Sequence, residues 1–290
     1  MARINRLIWL LLMVFTFTVT AAIPVRADTL DLKSESYVLM DADSGKILLS
    51  KNPDKRLPPA SMTKLMTLIL AARDLESGKI SLQDKVQTSE DASKMGGSQV
   101  YLEPGEQMSL EDMLISIAVG SANDASVAVA EYLEGSHKNF VNRMNQEAKM
   151  MGLRNTHFVN AYGLPAPDHY SCARDMAVIA RYALKHPKVL EYTSIKEYNL
   201  RQGAFKLYNT NKLLWWYQGA DGFKTGWTNE AKHCLTATAK RDGLRLIAVV
   251  MAAPETHGNF RDAMKLFNYG FARYAYKNYS PRGSCVESLR

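Results

Sequence analysis

The stretch PPASMTKLMTLILAARDLESGKI, residues 58–80, joins two prolines to an apolar pattern of helical period. This pattern predicts a helix over about residues 60–77, which Gly78 ends. Its first turn carries Ser61 and Lys64, where a helix that only packs into a core would carry apolar residues. Because these two residues are three positions apart, their side chains project from one face of the helix at its N-terminal end.

A serine next to a lysine at a helix start can do chemistry. A serine hydroxyl is a weak nucleophile until a base removes its proton, and lysine can be that base where burial or a nearby cation lowers its pKa. The helix N-terminus adds N–H groups where an oxyanion forms. The pair also fits a helix cap followed by a solvated lysine, and this spacing is common by chance. By itself it leaves both interpretations open.

A second polar group, SAND at residues 121–124, falls in a break between two helical patterns of the stretch 109–134. That stretch begins with SLED, which is typical of a capping box. In the break, the hydroxyl of Ser121 can relay protons and the amide of Asn123 can hold a substrate carbonyl. A serine there is also an ordinary helix cap, so this motif alone decides nothing.

A third motif lies in DGFKTGWT, residues 221–228, just before a predicted strand over 232–240. A glycine in an edge strand lets a peptide lie against the backbone. Lys224 and Thr225, next to Gly226, present a charge and a hydroxyl to a substrate carboxylate. The alternative is a loop with a turn at its start.

The surrounding patterns predict an α/β (α+β) fold. Residues 36–52 form a hairpin pattern, residues 232–253 a pair of strands, and residues 259–274 a last helix, whereas residues 137–192 are mostly helical. The economical arrangement is one antiparallel sheet built from both ends of the chain and flanked by helices, with the middle helices as a helical lobe.

Composition limits the partners. Arg3 and Arg6 precede an apolar run, so residues 1–27 read as a secretory signal peptide, or an uncleaved anchor, and the protein is expected outside the cytoplasm. The charge of +7 falls to +4 without that segment and is dispersed, which suits general attraction to an anionic wall or membrane surface but not nucleic acid. The three cysteines and scattered histidines predict no disulfide framework, metal or cofactor.

The three motifs occur together and in order, a set typical of penicillin-binding proteins and β-lactamases. With stretches such as YVLMDADSGKIL, MGLRNTHFVNAYGL and LFNYGFARY, residues 36–275 closely resemble the D-alanyl-D-alanine carboxypeptidases of peptidase family S11, which are low-molecular-mass penicillin-binding proteins. The resemblance implies a β-lactamase/transpeptidase-like fold. It also implies the domain limits 1–27 for the signal peptide, 28–275 for the penicillin-binding domain and 276–290 for an irregular tail.

The resemblance also implies roles for individual residues. Ser61 is the nucleophile and Lys64 its general base, with Ser121 as a further catalytic group. The substrate-binding residues it implies are Asn123, Lys224, Thr225, Gly226, Trp227 and Arg261. Among these, the backbone N–H of Trp227 completes the oxyanion hole with that of Ser61, and Arg261 helps to hold a terminal carboxylate. The implied partners are the peptidoglycan stem peptide and β-lactam antibiotics.

The chain departs from the family pattern in three places. Lys232 stands where glycine is usual, Cys172 where threonine is common, and the chain ends soon after residue 275, where the family continues into a β-rich domain and a membrane-associated helix. A D,D-endopeptidase and a non-catalytic penicillin-binding or wall-binding protein stay open as alternatives. A class A β-lactamase is disfavoured, since no E-x-x-L-N follows Asn123 before Lys224.

Overall fold

The computed structural model describes residues 30–276. The strands within this range are, in chain order, β1 (Ser36–Asp41), β2 (Ile47–Lys51), β3 (Lys85–Gln87), β4 (Gln107–Ser109), β5 (Glu197–Leu200), β6 (Phe205–Tyr208), β7 (Ala220–Thr228), β8 (Lys232–Arg241) and β9 (Leu244–Ala253). The α-helices of the same range are α1 (Lys64–Glu76), α2 (Glu90–Ser93), α3 (Leu110–Ile115), α4 (Asn123–Glu134), α5 (His137–Met150), α6 (Ala173–Ala183), α7 (Pro187–Ser194), α8 (Leu213–Trp216) and α9 (Gly258–Arg273).

The central sheet has the strand order β2-β1-β9-β8-β7, with every neighbouring pair antiparallel. The N-terminal hairpin docks on the C-terminal strands because β1 pairs with β9, from Ser36 opposite Met251 to Asp41 opposite Leu246. The predicted antiparallel sheet, built from both ends of the chain, is therefore confirmed. Among the described residues, β7 is an edge strand of this sheet, with β8 paired on one side and no strand on the other.

Helices cover both faces of this sheet. Leu39 and Met40 are consecutive in β1, so their side chains point to opposite faces. Leu39 lies under α9, where a side chain at Gly270 would come within 3.1 Å of it. Met40 lies on the other face, beside Arg181 of α6. A sheet buried on both faces needs apolar residues without alternation, which explains the continuous run LRLIAVVMAA of β9.

The helix predicted over 60–77 is confirmed, with a tighter first turn. Residues 60–63 form a 3₁₀ turn, and α1 continues to Glu76 with most of its residues buried. The predicted break near residue 120 is also confirmed, since α3 runs into a π-helical turn over 116–120 before α4 begins. The side chain of Ser109 accepts a hydrogen bond of 3.1 Å from the N–H of Asp112, which is the capping that SLED predicts.

The helical lobe predicted over 137–192 contains α5, α6 and α7. Two small two-stranded antiparallel sheets, β3–β4 and the hairpin β5–β6, were not predicted from the sequence. The predicted signal peptide (1–27) and nearly all of the predicted tail (276–290) lie outside the described residues. In the range 30–276, no helix has both the length and the apolar character that crossing a membrane requires.

Candidate active site

The start of α1 brings Ser61 and Lys64 together. The Nζ atom of Lys64 lies 2.8 Å from the Oγ atom of Ser61. Lys64 also donates to the side-chain oxygen of Asn123 and to the backbone carbonyl of Tyr162, each at 2.6 Å. With three acceptors around it and no exposed surface, the Lys64 amine is held in one orientation, pointing at the serine.

Burial is the main reason that the pKa of Lys64 is held well below its ordinary value of 10.5, because a buried site disfavours the ammonium form. The positive charge of Lys224 lowers the pKa of Lys64 further, and the negative charge of Asp124 opposes both effects. The sequence predicts that a lysine can be the base where burial or a nearby cation lowers its pKa. Lys64 meets both conditions, and burial is the larger cause.

Lys224 is fully buried as well, and burial lowers its pKa to about 7. Its Nζ atom has no hydrogen-bond partner within the part of the chain that the structure describes. A buried amine without a partner is costly, and such groups concentrate at functional sites. The Lys224 amine can therefore donate hydrogen bonds to an anionic group that enters the site.

The break between α3 and α4 supplies the second motif. Ser121 is buried and adopts the left-handed conformation (φ 62°), which sharply reverses the chain after the π-helical turn. Asn123, two residues on, is fixed from three directions: its backbone N–H donates to Ser98, its side-chain N–H donates to the carbonyl of Gly96, and its side-chain oxygen accepts from Lys64. The turn therefore connects the loop around residue 96 to the Ser–Lys pair.

Strand β7 passes very close to the start of α1 at Gly226. A side chain there would lie 2.7 Å from the carbonyl oxygen of Pro59 and 3.1 Å from the backbone nitrogen of Ser61. Gly163 makes a similar approach from the other direction, with φ +91° and space for no side chain against Ala60. The two glycines let β7 and the loop around residue 163 close on the nucleophile from both sides.

The exposed end of β7 carries the remaining residues of the third motif. The hydroxyl of Thr225 donates to that of Thr210 at 2.7 Å. Trp227 is 58% exposed, and its ring packs beside His233 of β8. Lys232, opposite Thr228, has φ 56°, in the region that favours glycine, which gives a backbone reason for the glycine expected at that position.

The structure does not join Arg261 to the Ser61–Lys64 pair. Arg261 lies in the first turn of α9, where its guanidinium pairs with Glu255 and donates to the carbonyl of Thr256 at 3.2 Å. None of these contacts joins it to Ser61, Lys64 or Lys224. This role stays a prediction.

Sequence reasoning missed the groups that position Lys64. The backbone carbonyl of Tyr162 accepts from Lys64 directly, and the backbone carbonyl of Gly96 holds Asn123, which in turn accepts from Lys64. Every residue has a backbone carbonyl, so the residue type does not show which carbonyl will contact the site. The only available signal for Tyr162 was its place in MGLRNTHFVNAYGL, a stretch that resembles the family. Within residues 30–276, no cluster of three or more histidine, cysteine or carboxylate side chains is able to hold a metal ion.

Solved structures share this architecture. Penicillin-binding protein 5 from Haemophilus influenzae superimposes with a TM-score of 0.80 and 39% identity, over 83% of this chain and 71% of that chain. Penicillin-binding protein D2 from Listeria monocytogenes, solved in its ampicillin-bound form, gives a TM-score of 0.77 and 33% identity, over 83% of this chain and 99% of that chain. The fold is that of penicillin-binding proteins.

Comparison of the sequence with protein-family models shows the family, within the penicillin-binding proteins, to which the chain belongs. The chain belongs to peptidase family S11, whose model is described as D-alanyl-D-alanine carboxypeptidase and matches residues 21–255. A curated relative, D-alanyl-D-alanine carboxypeptidase DacF of Bacillus subtilis (strain 168), is 47% identical over 252 residues, or 86% of this chain. The matched region spans 65% of the length of DacF, which is slightly less than two thirds.

Proposed function

We propose that this protein is a serine-type D-Ala-D-Ala carboxypeptidase that removes the terminal D-alanine from peptidoglycan stem pentapeptides. The observation that carries the proposal is the buried Lys64 amine, 2.8 Å from the Ser61 hydroxyl and with a lowered pKa. A lysine in this state is a neutral base at the right distance from a nucleophile. Membership of family S11 supports the same substrate class.

In the proposed acylation, the neutral amine of Lys64 takes the proton of Ser61 while Oγ attacks the carbonyl carbon of the penultimate D-alanine. The backbone N–H groups of Ser61 and Trp227 hold the resulting oxyanion. The peptide lies along the free side of β7, with its terminal carboxylate at Lys224 and Thr225, whose positive charge and hydroxyl suit it. Placing an anion there also gives the buried Lys224 amine a partner that the described residues do not supply.

The proton then passes to the leaving nitrogen, the C–N bond breaks and D-alanine departs. Lys64 supplies this proton, with the hydroxyl of Ser121 as a relay. Water hydrolyses the acyl-enzyme and restores Ser61. Asn123 holds an amide carbonyl of the acyl part throughout. Its contacts with Lys64 and Gly96, which fix its orientation, support this role.

We further propose that β-lactam antibiotics acylate Ser61. Their strained amide carbonyl would enter the same oxyanion site, with the carboxylate at Lys224 and Thr225. The ampicillin-bound form of the Listeria protein, which has the same fold, supports this proposal. Labelling by a fluorescent penicillin, blocked by Ser61→Ala, is the expected result.

The deciding experiment measures D-alanine released from a synthetic stem pentapeptide, with Ser61→Ala as the control. We expect release by the wild type and a loss of at least a thousandfold in the variant. A folded wild-type protein that releases no D-alanine refutes the carboxypeptidase proposal. A parallel assay on cross-linked peptide dimers then separates a D,D-endopeptidase, which cleaves them, from a binding protein, which does not.

We also propose that the protein works outside the cytoplasm, in contact with the cell wall or the membrane surface. The charge pattern of residues 1–27 and the net positive charge support this proposal. Fractionation of cells that express the full chain tests it. Recovery with the cytoplasmic proteins, with residues 1–27 still attached, would refute it.

A further inference from the structure

A cavity of about 300 Å³ opens beside the nucleophile, beyond the end of β7. Gly163, which packs against Ala60, lines one wall, and Thr228, two residues after Gly226, lines another. Residues 165–167, with the sequence Pro-Ala-Pro, form much of the remaining surface. The cavity is therefore continuous with the proposed binding edge and is mostly apolar.

The direction of the substrate follows from the proposed function, on which this inference rests. If Lys224 and Thr225 hold the terminal carboxylate, the leaving D-alanine lies beside them. The acyl part of the peptide must then run the other way along β7, past Gly226 toward Thr228. It reaches the cavity within one or two residues of the scissile bond, because a strand advances about 3.3 Å per residue.

The cavity has one charged group at its rim. Glu230 is exposed, and its carboxylate makes no hydrogen bond or ion pair within the described part of the chain. The other ionisable lining residue, His169, is buried, and burial lowers its pKa to about 4, so that it is neutral at pH 7. Lys232 follows in the same turn but does not line the cavity.

We propose that this cavity takes the side chain of the third stem residue and that Glu230 selects an aliphatic side chain ending in an ammonium group. The Pro-Ala-Pro wall suits the methylene groups, and the Glu230 carboxylate suits the charge at their end. L-Lysine and meso-diaminopimelate both carry this group, and they differ in a second carboxylate. Glu230 is then a specificity residue that does not touch the reacting atoms.

The test compares kcat/KM for D-alanine release from pentapeptides that differ only at the third residue. L-Norleucine is the matched control for L-lysine, since it keeps the aliphatic chain and lacks the ammonium. We expect the wild type to prefer lysine over norleucine by roughly fivefold, the scale of a solvent-exposed ion pair, and to lose part of that preference in high salt. The meso-diaminopimelate peptide shows which of the two ammonium-bearing side chains fits better.

Two variants assign the preference to Glu230. Glu230→Gln should lower the lysine-to-norleucine ratio to about one without changing turnover of the norleucine peptide, and Glu230→Lys should favour an acidic third residue, 2-aminoadipate. Asp43→Asn removes an exposed carboxylate from the β1–β2 turn, at the opposite edge of the sheet, and should leave the ratio unchanged.

The outcomes are distinct. Equal use of lysine and norleucine peptides by the wild type, or a ratio that Glu230→Gln leaves intact, overturns the role of Glu230 while the carboxypeptidase proposal stands. No D-alanine release from any of the peptides overturns the proposed function, and this inference with it.

Discussion

Two lysine side chains with opposite requirements share one buried site. Lys64 must be neutral to accept a proton, and Lys224 must be charged to attract a carboxylate. Burial lowers both pKa values, and the charge of Lys224 also lowers that of Lys64. Of these two causes, the charge of Lys224 acts on Lys64 alone, and it favours a neutral Lys64. The three acceptors around Lys64 oppose this effect, because they favour its ammonium form. Lys224 has no hydrogen-bond partner among the described residues, so an entering carboxylate is what would favour its charged form.

The first prediction concerns the pH dependence of acylation. In wild type, the rate of acylation by penicillin should rise with pH through the lowered pKa of Lys64, because only the neutral amine accepts the Ser61 proton. At higher pH the rate should fall again, because Lys224, with a pKa of about 7, loses the charge that attracts the carboxylate. Lys64→Met should lose this rise, and its rate should fall by roughly 10²–10⁴, the usual contribution of a general base. Stopped-flow acylation across the pH range measures both.

Circular dichroism of Lys64→Met provides the control for folding. A wild-type profile that stays flat from mildly acidic to alkaline pH would remove Lys64 from the role of base. So would a folded Lys64→Met protein that acylates at the wild-type rate.

At the scale of elements, the site depends on how closely β7 approaches the start of α1. Gly226 permits that approach, and the same strand offers its free side to a peptide. The nucleophile therefore sits against the edge to which the proposed substrate binds. This requirement concerns the backbone, so it can be tested without changing a reacting group.

Gly226→Ala should impair acylation and also lower stability, because the clash is with backbone atoms. The added methyl group would lie 2.7 Å from the Pro59 carbonyl oxygen, so β7 must move away from Ser61. A shift of this kind typically costs about 10²-fold in rate. Gly96→Ala is the matched control, because it keeps the backbone carbonyl that accepts from Asn123 and a side chain there meets nothing within 4 Å. Penicillin acylation rates of the two variants test this prediction. Equal rates for Gly226→Ala and Gly96→Ala would contradict the steric argument.

The sequence predicts the long helices and strands better than the short ones. Helix α1 and the strands β8 and β9 follow from long apolar patterns, and the order of the three motifs indicates that Ser61, Asn123 and Lys224 share a site. Strands β3 to β6 have three or four residues each, too few for a periodic pattern. The carbonyl contacts to Lys64 depend on how distant loops pack, which residue types do not encode.

At the scale of the whole molecule, the sheet brings the two ends of the described chain together, since β1 pairs with β9. This arrangement puts α1 and its lysine between the sheet and the helical lobe. Both lysine side chains are buried, which lowers their pKa values and also costs stability. Activity and stability therefore make opposite demands on the same buried charges.

Lys224→Met should raise the melting temperature at pH 7 by several degrees and abolish D-alanine release. The stability gain is expected because folding lowers the pKa of Lys224. The pKa of Lys224 is about 7 in the folded protein and about 10.4 in an unfolded chain, so the unfolded state binds more protons between these values. The free energy of unfolding of the wild type should therefore rise as pH increases from 7 to about 10.

Methionine fills similar volume without a charge, so Lys224→Met should lose this part of the pH dependence. Lys64→Met is the comparison, since it removes a buried amine but leaves the oxygens of Asn123 and Tyr162 without their donor. The melting temperature of Lys64→Met should therefore rise less than that of Lys224→Met, or fall below that of the wild type. Thermal unfolding of the three proteins at pH 7 and pH 9 tests the argument: a Lys224→Met variant less stable than wild type at pH 7 would mean that the buried ammonium is satisfied in the folded protein.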